Sequence, residues 1–437
     1  MKKSAKKTKD VLKPRRDFLK SSGLVAVSLG NPMLPLAFQA LAAAKSARAE
    51  SADDTAFVYV FLRGGADGLS ILSPTAGHPD RKTYEEARPN IKLEAGDVNP
   101  LGNNFGLNKA CENLLGLYTN RQASFYHGVG NRSSNSRSHF IQQDFIDRGG
   151  IGSQADGYLN RLLSLREPGQ PAIIASSASP NLSKALIGTQ AKGNNLIIPV
   201  AKLNGGTVES GQNELSLYGR FFIGSGLTSR LLATWSQGEK SLGKKAVSSS
   251  ELLNQSIANA KNFKFGDYGS LGQFETAARL LVGCPTLKFL TIDVEGWDTH
   301  DVMGPKNGGY FQKLLASFDK AIGQFVKDLE NRRNVRIVII SEFGRPLREN
   351  GTLGLDHGRG GLAITIGPKN DGGKIVAEQL NLKDLEDDRD IKVNIDHREL
   401  IGSALIKSKL VSSDMELATA FPQSEEEKNR VKLVYKY

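Results

Sequence analysis

Beyond about residue 55, short apolar runs alternate with longer segments in which apolar side chains recur with a helical period. The predicted strands are 57–62, 124–129, 172–175, 287–294, 335–340 and 362–366. The clearest predicted helix is 310–329, where apolar residues recur at spacings of three and four. Because runs of this kind alternating with helices are typical of parallel sheets, the pattern predicts an α/β fold with a mostly parallel sheet flanked by helices.

Residues 177–269 break this pattern and are rich in Gly, Ser, Asn and Lys. Stretches of this length without strong periodicity are usually functional or mobile loops, so the segment is interpreted as an inserted cap or a set of long surface loops. Residues 55–437 are long enough for one large domain or two smaller ones. We expect a single α/β domain that carries the insertion.

Dense polar segments adjoin four of the predicted strands. The first strand runs into RGGADG at 63–68, and the fourth and fifth are followed by GWDTH at 296–300 and SEFGR at 341–345. DHGRG at 356–360 directly precedes the sixth strand. Ligands of open α/β sheets bind beyond the carboxyl ends of the strands, so these segments predict a functional site at that edge.

The acidic and histidine side chains of these segments are candidate metal ligands, because carboxylates and imidazoles are common ligands of divalent cations. The candidates are Asp67, Asp298, His300, Glu342, Asp356 and His357. Asp298 and His300 stand two residues apart and would point the same way on extended backbone. The alternatives are an ordinary turn aspartate for Asp67 and a surface-loop histidine for His300.

A polar loop at 131–139, NRSSNSRSH, leads into apolar positions typical of one helix face. Ser136 or Ser138 would lie near the N-terminus of that helix, where backbone N–H groups favour anions and assist a nucleophilic hydroxyl. Simple N-capping is the alternative for either serine. His139 is a candidate ligand or acid/base, with its direction left open.

Two arginines in the same segments, Arg345 and Arg359, are candidates to clamp an oxyanion and to offset charge in a transition state. The alternative for Arg345 is a structural ion pair with Glu342.

The N-terminal segment has the features of an export signal. It carries RRDFLK at 15–20, a weakly apolar stretch at 23–44, and small residues at 42, 44, 47 and 49. Gly and Pro interrupt the roughly 20 apolar residues that a bilayer-spanning anchor needs, so a cleaved signal peptide over residues 1–49 is predicted, cut between residues 44 and 50. The predicted partner is the twin-arginine translocase and the predicted location is periplasmic or secreted; the alternative is an ordinary basic tail.

Most of the charge lies in this leader. The whole chain has a formal charge of +11, of which residues 1–49 supply +9 and the remainder only +2. Nucleic-acid binding needs a concentrated field of Lys and Arg, so the charge distribution argues against a nucleic-acid partner. The two cysteines, Cys111 and Cys284, allow one disulfide or two buried thiols.

Five segments in a fixed order, FLRGGADGLS, SRSHF, GWDTH, SEFGR and DHGRG, follow the twin-arginine leader. Over roughly residues 57–422 the chain therefore resembles the exported bacterial family called domain of unknown function 1501. That family resembles the alkaline phosphatase and sulfatase superfamily, whose parallel sheet carries metal ligands and a nucleophile at the strand ends.

The resemblance implies that Asp67 is the first-strand metal carboxylate, that Asp298, His300 and His357 hold metal, and that a serine of 136–138 is the nucleophile. Glu342 and the following Phe343 depart from the Asp-His that the superfamily commonly has after a central strand. One imidazole is thereby removed, so one metal or none is expected rather than two.

The leading hypothesis is a hydrolase of small anionic esters, phosphate or sulfate, that depends on a divalent metal. The first rival is a non-catalytic exported binding or assembly protein on a degenerate version of the same fold. The second rival is a carrier of acidic ligands that uses the arginines without chemistry.

Overall fold

The computed structural model describes residues 55–150, 156–165, 172–179, 182–188, 195–199, 202–204, 207–209 and 259–423. These residues fall within one compact unit of the chain, Ala52–Tyr437. The predicted leader and most of the predicted insertion at 177–269 lie outside the described residues.

The strands are β1 (Ala56–Leu62), β2 (Leu72–Pro74), β3 (Val98–Pro100), β4 (Phe105–Asn108), β5 (Ala123–Gly130), β6 (Ala172–Ser177), β7 (Asn195–Pro199), β8 (Lys202–Asn204), β9 (Thr207–Glu209), β10 (Phe289–Val294), β11 (Val335–Ser341), β12 (Gly361–Ile366), β13 (Ile375–Val376) and β14 (Ile395–Asp396).

The α-helices are α1 (Gly68–Ile71), α2 (Arg81–Ala87), α3 (Glu112–Thr119), α4 (His139–Arg148), α5 (Tyr158–Leu163), α6 (Gly272–Gly283), α7 (Tyr310–Leu329), α8 (His397–Lys407) and α9 (Asp414–Ala420). Short 3₁₀ turns lie at Ala95–Asp97 and Gly102–Asn104.

The described residues build a nine-stranded main sheet in the order β13-β5-β12-β11-β1-β10-β6-β7, with β14 also paired to β5. Strands β11, β1, β10, β6 and β7 run parallel to one another. Strand β12 is antiparallel to both of its neighbours, β11 and β5. The amino end of β12 therefore lies at the same edge as the carboxyl ends of β1, β10, β11 and β5.

Both faces of the sheet are covered by apolar cores. Along β1, Val58 and Val60 face one core while Tyr59 and Phe61 face the other, and every residue of the strand is buried. Helices α3, α6 and α7 supply side chains to the first core, and α5, α8 and α9 supply the second. A central strand buried on both faces reads as a continuous apolar run, which is why this segment was recognisable in the sequence.

The predicted α/β class, with a mostly parallel sheet flanked by helices, is confirmed, and helix α7 has the predicted bounds. One described piece of the predicted insertion, β7, is an edge strand of the main sheet rather than a surface loop. Cys111 and Cys284 are buried free thiols, which decides between the two alternatives for the cysteines. No helix in the described part of the chain has the length and hydropathy needed to span a bilayer.

Candidate metal centre

All five polar segments meet at one edge of the main sheet. Segments 63–68, 131–139, 296–300 and 341–345 follow the carboxyl ends of β1, β5, β10 and β11. Segment 356–360 precedes β12, and it reaches the same edge because β12 runs in the opposite direction. The sheet topology therefore brings the sequence-predicted segments together.

Glycines allow these segments to approach closely. Gly64 has a φ of +121°, and a Cβ there would collide with the backbone of Trp297 and Asp298. Gly344 lies against the backbone of Gly360 and Gly361, and its N–H donates to the carbonyl of Arg359 at 2.9 Å. A side chain at either position would push the segments apart, so the close approach of the segments requires glycine at both.

The centre of the site is a cluster of three imidazoles and one carboxylate. His357 Nε2 lies 2.9 Å from His139 Nε2 and 2.8 Å from His300 Nε2. Asp298 Oδ1 lies 3.0 Å from His300 Nε2 and 3.3 Å from His357 Nε2, and Oδ2 lies 3.3 Å from His139 Nε2. Ligand atoms from His139, Asp298 and His357 all lie within 4.8 Å of one another.

In two of these imidazoles, those of His139 and His357, the other ring nitrogen (Nδ1) is hydrogen-bonded to a group outside the cluster. His139 Nδ1 is 2.7 Å from Glu342 Oε1, and His357 Nδ1 is 2.7 Å from the carbonyl oxygen of Arg137. A neutral imidazole that donates from Nδ1 has an unprotonated Nε2. Two such lone pairs 2.9 Å apart repel each other unless a proton or a metal ion lies between them, so the arrangement of ring nitrogens is compatible with a bound metal ion.

The pKa values of the cluster residues are shifted in different directions. Burial lowers the pKa of His139, but the hydrogen bond and charge of Glu342 outweigh it and the pKa is raised. Burial, followed by the charge of His139, lowers the pKa of His357. Burial would raise the pKa of Asp298, yet the hydrogen bond and charge of Arg345 lower it. The ionised carboxylate of Asp298 therefore faces two imidazoles, of which His139 is protonated more readily than His357.

Glu342 supports His139 and is not itself within the cluster. It is buried and accepts hydrogen bonds from Gly64 N at 2.9 Å, Gly65 N at 3.1 Å and Gln143 Nε2 at 2.7 Å. Burial would raise its pKa, but hydrogen bonds led by His139 and Gln143 lower it. The carboxylate oxygens accept hydrogen bonds from His139 and from neighbouring groups, and a role of Glu342 as a metal ligand stays a prediction.

Gln143 and Arg63 are connected by hydrogen bonds to Glu342, and sequence reasoning did not single out either of them for a role at the site. Gln143 lies one helical turn after His139 on α4 and accepts from Arg63 Nη1 at 3.3 Å. Arg63 is in turn held by Asp147 at 3.1 Å and Asp293 at 2.8 Å. Burial raises the pKa of Asp293 to about 6. The signal available in the sequence was the four-residue spacing of His139, Gln143 and Asp147, which places them on one helix face.

Arg345 positions Asp298. Its side chain is fully buried and donates to Asp298 Oδ1 at 2.7 Å. Other donors go to backbone carbonyls, with Gly65 O at 2.6 Å, Leu355 O at 2.9 Å and Trp297 O at 3.1 Å. The guanidinium is thus surrounded by protein acceptors, and its contact with a substrate oxyanion stays a prediction.

Asp67 does not reach the cluster. It is buried and forms a bidentate ion pair with Arg88, at 2.6 Å from Nη1 to Oδ2 and 3.0 Å from Nη2 to Oδ1. Burial would raise the pKa of Asp67, but the charge and hydrogen bonds of Arg88 lower it. Both carboxylate oxygens are held by the guanidinium of Arg88, and the role of Asp67 as a metal ligand stays a prediction.

The loop at 131–138 is held by side chains from elsewhere. Arg359 donates to the carbonyl oxygens of Ser134 and Asn131 and to Glu386 Oε1 at 3.1 Å, and its role as an anion clamp stays a prediction. Ser136 Oγ accepts from Ser138 N at 3.2 Å, which is a local turn contact. Ser138 is the N-cap residue of α4 by position, and its side chain makes no capping hydrogen bond. A nucleophilic role for either serine stays a prediction.

Two further residues border the cluster. Asp356, a predicted ligand, lies at the exposed rim with Oδ1 3.6 Å from His300 Nδ1. Phe343 is buried, with its ring centroid 4.8 Å from that of His139 and 4.9 Å from that of His357. The phenyl ring thus packs against two candidate ligands where an imidazole would have added a donor.

A pocket of about 290 Å³ opens beside the cluster. Its lining residues are Gly296, Asp298, Thr299, His300, Asp301 and Tyr310. Two members of the cluster, Asp298 and His300, form part of its wall, so a small molecule in the pocket would contact the centre.

Fold and site together define an α/β protein with a histidine–aspartate centre at the edge of its sheet. Residues 268–413 match the model of the family described as "Protein of unknown function (DUF1501)". That range contains three of the segments on which the family resemblance was based, at 296–300, 341–345 and 356–360. The predicted resemblance to this family is confirmed over these residues.

Solved structures show a distant similarity. A protein in the alkaline phosphatase superfamily from Vibrio parahaemolyticus matches 82% of this chain and 66% of its own, at 11% identity and a TM-score of 0.34. Ps i-CgsB in complex with k-i-k-neocarrahexaose matches 83% of this chain and 73% of its own, at 9% identity and a TM-score of 0.35. This chain thus spans just under two thirds of the Vibrio protein's length, and at these values the likeness carries no argument about activity. No curated protein is significantly similar to the sequence.

Proposed function

We propose that this protein is an exported hydrolase of phosphate or sulfate monoesters that depends on a divalent cation held by His139, Asp298 and His357. The observation that carries the proposal is that the Nε2 atoms of His139 and His357 converge with the carboxylate of Asp298. Protein groups hold these three side chains in place, because both Nδ1 atoms are hydrogen-bonded and Arg345 donates to the carboxylate. A mixed imidazole and carboxylate set suits a borderline transition cation such as Zn²⁺ better than Mg²⁺ or Ca²⁺.

A cation at this position would polarise an ester oxygen and stabilise developing negative charge. The chain's own residues would do the rest. Glu342 and the Arg137 carbonyl hold His139 and His357 with Nε2 directed at the cluster. Arg345 keeps Asp298 ionised and fixed. His300 borders both the cluster and the pocket, so it can exchange a proton with a bound substrate or water.

A non-catalytic binding protein is the second candidate, and a specific observation favours it. Two arginines were expected to offset charge on the substrate, Arg345 and Arg359. Both donate hydrogen bonds to carbonyl or carboxylate oxygens of the protein itself. Such a protein would bind a cation and an anion without turnover.

The test is metal analysis of the purified protein, combined with turnover assays on aryl phosphate and aryl sulfate. Wild-type protein should hold about one equivalent of cation, and H357A should lose both the cation and at least about a hundredfold of the turnover. The matched control is H78A, because His78 lies outside the cluster with its Nδ1 accepting from Asp80 N. Absence of both cation and turnover would refute the proposal, whereas a bound cation without turnover would support the second candidate.

A further inference from the structure

Exposed apolar side chains gather around the metal centre. Eight large apolar side chains are exposed in the described part of the chain, and five of them either line the pocket or lie within four residues of a cluster histidine in the sequence. They are Phe140 and Ile141, which follow His139; Val302, two residues after His300; Leu353, four residues before His357; and Tyr310, which lines the pocket. Exposed apolar groups that concentrate at one place mark a surface that contacts something.

Two of these side chains are held in place by unusual backbone. Val302 and Leu353 have φ angles of +40° and +62°, in the left-handed region that a β-branched residue such as Val302 rarely adopts. Their segments are paired, with Val302 N donating to Thr352 O at 2.8 Å and Met303 N donating to Leu353 O at 3.0 Å. Strained backbone of this kind persists where the surrounding structure enforces it, often at ligand-binding positions.

The same pair of segments is anchored to a member of the cluster. Asn350 Nδ2 donates to the carbonyl oxygen of His300 at 2.8 Å, and Thr352 Oγ1 donates to the same oxygen at 3.1 Å. The exposed fractions of Val302 and Leu353 are 68% and 42%. The backbone therefore holds two apolar side chains in solvent immediately beside His300.

One exposed apolar side chain, that of Tyr310, lines the pocket beside the centre. Tyr310 is 56% exposed, and its Oη donates to the carbonyl oxygen of Gly296 at 3.2 Å, which fixes the ring as one wall. Asp298 and His300 form the opposite part of the lining. An occupant that reaches the cluster from this side would meet polar groups at one end and apolar groups at the other.

We propose that the site takes anionic esters whose alcohol portion is apolar, alkyl or aryl, and that Val302, Leu353 and Tyr310 determine this specificity. The inference rests on the proposed function. In the reaction, water supplies the oxygen that bonds to phosphorus or sulfur, the bond from that atom to the ester oxygen breaks, and a proton from water ends on the released apolar alcohol. Because Tyr310 lines the pocket with Asp298 and His300, and the segments of Val302 and Leu353 are hydrogen-bonded to each other and to the carbonyl oxygen of His300, we assign these three side chains to the substrate and not to a protein partner.

Binding and turnover test this proposal separately. Affinities of methyl-, butyl- and octylphosphonate, which are not hydrolysed, would be measured by calorimetry on the full chain with its cation, and kcat/KM on the matching alkyl phosphates and sulfates. Affinity and kcat/KM should rise roughly twofold to threefold per added methylene for wild type, since each buried methylene favours binding. The V302S/L353S variant should flatten this rise, because it removes two of the apolar side chains that contact the chain of the ligand. The matched control is M415S, which removes an exposed apolar side chain on α9 away from the site and should behave as wild type.

Each outcome decides something. Chain-length dependence of phosphonate affinity in wild type, lost in V302S/L353S and retained in M415S, supports the proposal. Equal affinity for the three phosphonates overturns it, whether or not the esters are hydrolysed. Phosphonate binding with chain-length dependence but no turnover refutes the hydrolase and keeps an apolar anion site. A change of oligomeric state in V302S/L353S, with chain-length dependence unaltered, shows that these side chains lie at an interface between copies and overturns the proposal.

Discussion

The buried ion pair between Asp67 and Arg88 offers a direct test of the role that the structure gives to Asp67. The perturbation is D67N, which keeps the shape of the side chain but removes its charge, and separately R88M, which keeps the aliphatic length. Arg88 also donates to Leu347 O at 2.8 Å and to Pro346 O at 3.0 Å, so it ties the first strand's turn to the segment after Arg345.

The expected magnitude follows from burial. The side chains of Arg88 and Asp67 are 0% and 1% exposed, so either single variant leaves a charge without its partner and without water. Removing one member of a buried pair typically lowers the free energy of unfolding by about 3–5 kcal/mol. The double variant D67N/R88M removes both charges, so its loss should be smaller than the sum of the two single losses by more than about 1 kcal/mol.

The assay is urea unfolding of the four proteins, with cation content measured on each. The matched control is K82M, because Lys82 and Glu86 form an exposed pair on α2 and their separation should cost less than about 0.5 kcal/mol. Cation content should be unchanged in D67N, since Asp67 lies outside the cluster. Loss of the cation in D67N with a stability change under about 1 kcal/mol would restore the sequence prediction of Asp67 as a ligand and refute the structural role.

Three further predictions concern other parts of the molecule. E342Q should weaken cation affinity about tenfold to a hundredfold, because His139 loses the ionised acceptor that orients it; metal titration measures this. His127 is buried, and burial lowers its pKa to about 4, so the unfolded chain binds more protons between pH 4 and 6.5 and about 3 kcal/mol of stability should be lost as the pH falls through that window. H127Q should show a shallower pH dependence in urea unfolding. Lysine at both Arg15 and Arg16 should abolish export, as measured by cell fractionation.

Each of these has a contrary result. Unchanged cation affinity in E342Q would mean that His139 is oriented by other contacts. Equal pH slopes for wild type and H127Q would mean that His127 titrates alike in folded and unfolded chains. Undiminished export of the lysine variant would remove the twin-arginine interpretation.

The sequence predicted the sheet well because β1 is an uninterrupted apolar run and β10, β11 and β12 are mostly apolar. It also placed DHGRG near the other segments, although periodicity carries no information on strand direction. Only the antiparallel course of β12 makes a segment that precedes a strand reach the same edge as segments that follow strands.

Side-chain partners were predicted less well, for a physical reason. Arg88 lies in none of the recognised segments, so nothing local indicated that Asp67 would pair with it. From the sequence, the arginines of the glycine-rich segments were expected to bind an anion. The close turns of these segments direct backbone carbonyls inward, and Arg345 and Arg359 donate hydrogen bonds to them. The sequence also left open the direction of the His139 side chain. His139 is the first residue of α4, and this position directs its ring toward the cluster.

The order of the strands has a kinetic consequence. Gly64 and Glu342, in contact within the site, are 278 residues apart in the chain, and His139 and His357 are 218 apart. Contacts at such separations can form only after long loops close, which slows folding relative to proteins built from local contacts. Most of the chain must be synthesised before the cluster can exist, so a nascent chain or a truncated product ending before residue 357 would lack His357 and could not assemble the centre.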